Sequence, residues 1–570
     1  MNTRIETLPR ERSWVDARWF ERLLELIPGL LTWFFLLGPI VFSFLIPVAV
    51  AYFIIAFDLI WLVKSLRLSS FLVIGYSKLH RRQHFDWQGR LDDLNDIPAA
   101  ITAREAELST FLDHNAAALK SPLWNRRFRT LRHSAQDQKT YIAQLKRLDA
   151  ADILKPTEIY NAVIIATYNE SLKTLEPSVR ALTDVNYPLK HIMLIIAYEE
   201  RGGPEIEANV KFLMKKYGHL FGYATAIKHP DGLAGEGKVK GANMTYAAKQ
   251  FSRTIDERGI PADHVIVTSF DSDHRPDPNY FSYLSFEYAI NPDRIHRSYQ
   301  PIPMFYNNIW DAPAPMRLIA TGNSFWMIMQ TVRPHLLRNF AAHAQSLQTL
   351  RDTDYWHLTS IVEDGHQFWR SYFRYHGNHR VVPLYVPVYQ DAVLAGTYLA
   401  TFKAQYIQLR RWAWGISDFP YVVRNSIKDR SIPLFEKIQQ IFRLMEGHFS
   451  WATAPLILTF VAWLPLYLNR NFADQVLAHQ LPVIASRILS LAMLGLVATV
   501  IISLISLPPR PTRYRHTRRI GTLLRMLFQW VILLPLTAIV FSAFAAIDAQ
   551  TRLMLGRYLD WKVTVKATKR

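Results

Sequence analysis

"HVIVTS" at 264–269 runs directly into "FDSDHRPD" at 270–277, and this junction decides how the chain is read. An apolar run rich in β-branched residues reads as a buried strand. That strand ends at Asp271 and Asp273, one residue apart. Carboxylates at the end of a buried strand are costly to desolvate unless something positive answers them. Asp-x-Asp can hold a divalent cation, since magnesium binds through one or two carboxylates plus phosphate oxygens. The same residues also suit a loop or a helix cap, which Asp favours for its own hydrogen bonding.

Working outward, "YNAVIIATYNE" (160–170) and "HIMLIIAYEE" (191–200) read as two further buried strands. "SLKTLEPSVRALTDV" (171–185) is mostly helix-like, with Pro177 against it, and "KVKGANMTYAAKQF" (238–251) reads as a helix. Strands alternating with helices predict an α/β, doubly wound, largely parallel sheet. Ligands in that architecture bind outside the carboxyl ends of the strands. Thr167, Tyr168, Asn169, Glu170, Glu199, Glu200, Asp271 and Asp273 all fall there. There is no GxGxxG opening the first helix and no P-loop sequence, which disfavours a dinucleotide enzyme and a P-loop nucleotidase.

The chain has 570 residues, a net charge of +19 and no cysteine. Disulfides, thiolate catalysis and zinc–thiolate sites are therefore excluded. From Ile27 to Val63 the only charge is Asp58. That run is too long for one span of ~20 residues and suits two, with Gly38, Pro39 and Pro47 as possible breaks. Apolar stretches recur at 451–468, 483–507 and 523–547. The pattern predicts an integral membrane protein with a large soluble domain between two membrane regions. Arg4, Arg10, Arg12, Arg18 and Arg22 precede the first span, and Lys64, Arg67, Lys78, Arg81 and Arg82 follow the second. Both flanks, and the domain with them, are expected on the cytoplasmic side of a bacterial-type inner or plasma membrane. Basic clusters that hug membrane ends are answered by anionic lipid, so membrane lipid and not nucleic acid is the expected partner. The expected division is 1–69 (about two spans), 70–155 (helical linker), 156–420 (catalytic domain), 421–550 (second membrane region) and 551–570 (tail).

"SIVEDGHQFWR" (360–370) places Glu363 beside Asp364. Adjacent carboxylates can raise one another's pKa, which suits a proton acceptor; acidic residues in an ordinary first helical turn look the same. His366 fits a metal ligand or a structural role. In "QYIQLRRWAWG" (405–415), Gln408, Arg411 and Trp412 share one helix face. An amide, a guanidinium and an indole together can grip a diphosphate and stack on a sugar. The stretch also suits an amphipathic interfacial helix.

The ordered set "TYNE" (167–170), "KGAN" (240–243), "DSD" (271–273), "VED" (362–364) and "QLRRW" (408–412) resembles the membrane-embedded processive family 2 glycosyltransferases, the cellulose, hyaluronan and chitin synthases. The resemblance spans roughly 160–415 and the flanking spans. It implies a cytoplasmic GT-A glycosyltransferase domain inserted between transmembrane regions. By position it implies that Thr167, Tyr168 and Glu170 line the nucleotide pocket, with Lys240 near the diphosphate. Asp271 would contact the nucleotide and share the metal with Asp273, the cation being Mg2+ or Mn2+. Asp364 would be the general base, with Glu363 beside it in the substrate site. Gln408 and Arg411 would hold the diphosphate, and Trp412 would stack on the acceptor. "WKVTVK" (561–566) resembles the family's gating loop, with Thr564 and Lys566 touching the nucleotide; a basic tail is the other reading.

The chain departs from the family at "AYEERGG" (197–203), where Glu199 replaces an aspartate, and at "VED" and "TGNSFW" (321–326). There is also a conflict of topology. Two spans before the domain and three after put the C-terminus outside, whereas a gate must lie inside. The segment 523–547, interrupted by Pro535, is the first suspect for a re-entrant path. The resulting expectation is an inverting, metal-dependent transferase that polymerises sugar from a cytoplasmic UDP sugar into a β-linked polysaccharide and passes the growing glycan through the membrane. Two rivals remain: a transferase that adds one sugar to a lipid acceptor, and a transporter or structural protein with a degenerate transferase domain.

Overall fold

A computed structural model of the chain describes residues 14–116, 126–509, 521, 524 and 527–560. Its centre is an eight-stranded mixed sheet in the order β3-β2-β1-β4-β7-β6-β8-β5. The strands are β1 (Tyr160–Thr167), β2 (Ile192–Glu199), β3 (Tyr223–His229), β4 (Val265–Asp271), β5 (Arg275–Pro276), β6 (Arg297–Met304), β7 (Ala344–Ser346) and β8 (Arg380–Tyr389).

The four strands β3-β2-β1-β4 are parallel. Sequence and packing agree in this half. Both faces of the sheet are covered, so β1 and β2 are apolar without a break. Alternate side chains point to opposite faces. Ala162, Ile164, Met193 and Ile195 pack on Met244, Ala247, Phe251 and Ile255 of the helix Lys240–Glu257. Val163, Ile165, Leu194 and Ile196 face the other way, in a core with Leu175, Val179, Val210 and Leu213. The chain leaves β1 toward β2 and β3, then returns to place β4 on the other flank of β1. The crevice at the carboxyl ends of β1 and β4 is therefore a topological switch point, where open α/β sheets take their ligands.

The other half is less regular. β7 runs antiparallel to both β4 and β6. β6 and β8 pair in parallel, with a register shift between Gln300 and Ile302. Proline lacks the ladder donor, and Pro301 and Pro383 sit at that slip.

Among the described residues, five helices are long and apolar enough to cross a membrane: Arg18–Leu45, Pro47–Arg82, Leu434–Leu468, Val476–Ser506 and Gln529–Met554. The break between the first two falls at Ile46, with Pro47 opening the second, while Pro28 and Pro39 stay inside the first. One continuous helix then runs from Pro47 past residue 69 to Arg82. Asn469 Nδ2 donates to Phe44 O (3.0 Å), which ties the ends of the first and third helices together away from the sheet.

Gln529–Met554 packs on the other long helices, as where Trp451 Nε1 donates to Ser542 Oγ at 2.6 Å, and it also meets groups of the α/β domain at three places. The Trp530 ring stacks on Phe325, on the helix between β6 and β7, with centroids 6.1 Å apart. Phe541 meets Phe402 at 5.8 Å. Arg410 Nη1 donates to Asp548 Oδ2 at 2.8 Å. At the end of the helix, Arg22 donates to the carbonyls of Leu553 (2.7 Å) and Met554. The last carbonyls of a helix have no N–H four residues further on, and Leu553 O also accepts the Gly556 N–H at 3.1 Å.

Candidate active site

The strand ends position the first group of residues. At the end of β1, the Glu170 carboxylate accepts from Thr167 Oγ1 and from the Tyr168 N–H, both at 2.7 Å, which locks the turn. At the end of β2, Glu199 is buried and bonded to Arg201 Nε, and the Arg201 guanidinium lies 4.4 Å from the centre of the Tyr168 ring. The two turns touch through Gly202, where a Cβ would stand 1.9 Å from Tyr168 O. Only glycine permits that approach.

At the end of β4, donor atoms of Asp271, Asp273 and His274 lie within 4.8 Å of one another. Asp273 is fully buried and accepts the Asp391 N–H on Oδ2 at 2.7 Å. Its backbone carbonyl accepts from Asn307 Nδ2 at 3.0 Å. The loop after β8 and the loop after β6 thus fix the aspartate in place. Two hard carboxylates and one imidazole form a donor set that suits Mn2+; Mg2+ would rest on the carboxylates alone.

Lys240 joins this group to the next. It opens the helix Lys240–Glu257, and its Nζ lies 2.7 Å from Asp271 Oδ1, 3.5 Å from Glu363 Oε1 and 3.9 Å from Asp364 Oδ1. Gly241 makes the approach possible, since a Cβ there would stand 2.5 Å from His357 O. Burial works against the Lys240 charge, but Asp271, Asp364 and Glu363 outweigh it and hold the ammonium above its usual range. Glu363 and Asp364 begin the helix Glu363–Arg374, where the positive end of the helix dipole favours carboxylates.

The adjacent pair was expected to be raised; instead its members diverge. Burial, with the neighbouring Asp364 charge, pushes Glu363 up to about 7. Asp364 is only half-buried, and Lys240 and His343 overcome the cost of its desolvation and hold it below the usual carboxylate range. The cause is a difference in partners: His343 Nδ1 lies 3.4 Å from Asp364 Oδ1.

The helix Tyr398–Ala413 brings the last residues. Burial lowers the Arg411 guanidinium against the pull of Glu363, Asp271 and Asp364, so Arg411 shares their site. Gln408 is buried one turn earlier and accepts from Gln405 at 3.1 Å. The Trp412 ring lies 6.0 Å from Phe305, just beyond β6. His366 Nδ1 is 2.7 Å from Asp418 Oδ1, and His366 is not among the Asp271, Asp273 and His274 donors that come together. Thr564 and Lys566 lie outside the described residues.

Sequence reasoning missed Arg201, His274, Asn307, His343 and Asp391. His274 follows the Asp-Ser-Asp directly and was open to notice. His343 and Asp391 sit in no readable motif, and only the folded sheet brings them to the site.

No protein-family model matches the chain, and no curated protein matches it. Several solved structures resemble it at low identity. The mannosyltransferase PcManGT from Pyrobaculum calidifontis, in complex with GDP-Man and Mn2+, is 15% identical with a TM-score of 0.38, covering 72% of this chain and 99% of that one. TarS 1–349 of S. aureus, in complex with UDP-GlcNAc, is 13% identical with a TM-score of 0.32, covering 70% and 93%. GalNAc-T7 with UDP, GalNAc and Mn2+ is 12% identical with a TM-score of 0.28, covering 53% and 58%. At these scores the likeness assigns no function, and the geometry of the site itself carries the functional reading.

Proposed function

We propose that the protein is a membrane-embedded, inverting glycosyltransferase that takes a nucleotide sugar, a UDP sugar first, and builds a β-linked polysaccharide. The observation that carries this reading is the placement of Lys240. One buried ammonium links a strand-end carboxylate of a metal-competent group (Asp271) to a helix-start carboxylate pair (Glu363 and Asp364). A nucleoside diphosphate needs a divalent cation and fixed positive charge, and an attacking hydroxyl needs a base; the side chains gathered in this crevice are of the kinds that could serve all three needs.

Asp271 and Asp273, with His274, would hold Mg2+ or Mn2+. When bound, the cation supplies charge neutralisation to the departing diphosphate. The rest of the work falls to the chain. Lys240 and Arg411 place positive charge beside the diphosphate. Asp364, kept ionised, accepts the proton of the acceptor hydroxyl as that oxygen bonds to the anomeric carbon and the bond to the diphosphate breaks. Glu363, pushed toward neutrality, adds little negative charge where a diphosphate must approach. Trp412 offers its ring to the acceptor sugar.

The helix contacts support four membrane crossings. Both ends of Gln529–Met554 meet groups of the α/β domain, which a crossing helix of 26 residues could not do. We place this helix along the membrane face that carries the domain, with the C-terminus on that same side.

The direct test is to incubate purified protein with a panel of nucleotide sugars and Mn2+, then measure released nucleotide and product size. A ladder of oligomers supports the polymerase reading. A single glycolipid replaces it with one-step transfer to lipid. No metal-dependent release from any nucleotide sugar overturns the transferase reading.

A further inference from the structure

Lys64 on the helix Pro47–Arg82 pairs with Glu446 on Leu434–Leu468, and Ser450 Oγ donates to the same carboxylate at 2.8 Å. Further along, Val50 and Ile54 share a core with Ile457 and Val461, so the two helices run antiparallel. Arg67 follows Lys64 by three residues and Arg443 precedes Glu446 by three. Residues three apart share a helix face, so both arginines lie on the same side of the Lys64–Glu446 pair, one turn nearer the α/β domain. The segment after the helix Ala314–Thr331 adds two more. Arg333 Cζ lies 5.3 Å from the centre of the Phe71 ring, and Arg338 Cζ lies 4.3 Å from the centre of the Trp369 ring.

These cations feel one another. Burial, with Arg67 and Arg443 pressing on it against the pull of Glu446, holds the Arg333 guanidinium below its usual range. Burial and Arg443, against the pull of Asp418, lower Arg338 to about 10. Burial, Arg443 and Arg333 lower His335 in the same way. The nearby acids are already engaged: Glu446 by Lys64, Glu436 by the Tyr372 hydroxyl (3.0 Å) and Arg380 Nη2 (3.3 Å), and Asp418 by His366. Among the described residues the guanidinium groups of Arg67, Arg338 and Arg443 make no ion pair and no hydrogen bond, and Arg333 donates to the neutral Gln330 amide at 3.1 Å. Like charges gathered without a counter-charge destabilise the compact state by repulsion, and a bound anion would relieve it.

Position names the anion. The helix from Pro47 to Arg67 covers about 30 Å, the thickness of a bilayer's hydrocarbon core. Arg67 therefore stands at headgroup depth. Leu66 and Phe442, the neighbours of the two helix arginines, are exposed, and apolar surface at that level suits acyl chains. We infer that Arg67, Arg333, Arg338 and Arg443 form a binding site for the phosphate of an anionic phospholipid from the leaflet that faces the α/β domain. A guanidinium fork matches phosphate oxygens, and basic pockets between membrane helices take such headgroups. This rests on the two helices crossing the membrane and not on the transferase chemistry.

The test uses the full-length protein in a neutral detergent, with phosphatidylglycerol as the probe and phosphatidylcholine as the neutral comparison. Lipid binding and the unfolding midpoint are read in wild type, in Arg67→Gln/Arg443→Gln, and in Arg18→Gln/Lys403→Gln. The last pair removes the same charge at exposed positions on the helices Arg18–Leu45 and Tyr398–Ala413. Phosphatidylglycerol should bind wild type and this control alike and raise their midpoints, while phosphatidylcholine does neither. The Arg67→Gln/Arg443→Gln protein should bind phosphatidylglycerol about 30-fold more weakly, the weight of two cations at a membrane surface. Without lipid its midpoint should equal or exceed that of wild type, because repulsion is relieved. If it falls instead, Arg443→Gln is compared with Arg443→Lys, where the retained charge should retain most of the binding. Wild-type binding in the Arg67→Gln/Arg443→Gln protein, or equal weakening in the control pair, overturns the site. Displacement of the lipid by millimolar inorganic phosphate would give the cluster to a soluble anion and overturn the lipid assignment.

Discussion

Lys240 Nζ stands 2.7 Å from Asp271 Oδ1, and through this pair the end of β4 is joined to the start of the helix Lys240–Glu257. The ammonium is 8% exposed and also faces Glu363 and Asp364. Asp271 is 35% exposed, so solvent screens part of the charge left behind, and the loss of such a bond between charged groups costs about 1.5–3 kcal/mol. Lys240→Met should therefore lower stability by that order and abolish transfer. Denaturant unfolding in detergent measures the first effect. Unchanged stability would mean that the lysine is solvated in solution and does not bridge the carboxylates.

Glu363 gives a prediction in pH. Its carboxyl is pushed up to about 7 in the folded chain, against 4.5 as its ordinary value. Between these values the native state holds a proton that the unfolded chain has released. Stability therefore falls as pH rises through this window. Asp364, held below its ordinary 3.8, contributes in the opposite sense and only at lower pH. Glu363→Gln should flatten the decline between pH 5 and pH 7.5, as read by unfolding midpoints. An equal decline in both proteins would show that Glu363 does not hold the proton.

Asp273→Asn should weaken Mn2+-dependent nucleotide binding and abolish transfer while the chain still folds, because one hard anionic ligand is lost. The buried amide can still accept the Asp391 N–H now held by Oδ2. Binding titrations with and without Mn2+ measure it. Wild-type turnover in the presence of a chelator would remove the metal from the account.

Three of the four parallel strands were legible in the sequence, because strands buried on both faces are written as unbroken apolar runs; the half-exposed β3 was not. "AVIIA", "IMLIIA" and "VIVTSF" are β1, β2 and β4. β6 and β8 were not legible. Pro301 and Pro303 interrupt the first, Pro383 and Pro387 the second, and the fold accommodates them by a register slip that no local pattern encodes. The site divides in the same way. Lys240, Asp271, Glu363, Asp364 and Arg411 were readable from motif and order, and the structure draws them together. His343 was not, since its relation to Asp364 depends on β7 pairing antiparallel with β4. The apolar stretch 523–547, interrupted by Pro535, was already suspect as a simple span; the contacts at the two ends of 529–554 are tertiary and invisible to hydropathy.

The C-terminus supplies a test of that helix. Tyr558 donates to Glu25 at 2.9 Å and meets the Trp414 ring at 6.3 Å, so the chain beyond it starts beside the end of the helix Tyr398–Ala413. The chain has no cysteine of its own. A cysteine substituted at Lys569 should be protected from a membrane-impermeant thiol reagent in intact cells and be labelled after lysis. Labelling in intact cells would put the tail on the far side, restore a fifth crossing and remove Thr564 and Lys566 from the site.

The most direct test of the account is to measure nucleotide-sugar binding and transfer side by side in wild type and Asp364→Asn. The substitution preserves shape and removes the negative charge that accepts the proton. The account predicts unchanged or tighter nucleotide-sugar binding, and a loss of transfer of roughly 10²–10⁴-fold, the usual weight of general-base catalysis. Binding and transfer falling together, or transfer persisting at the wild-type rate, would contradict it.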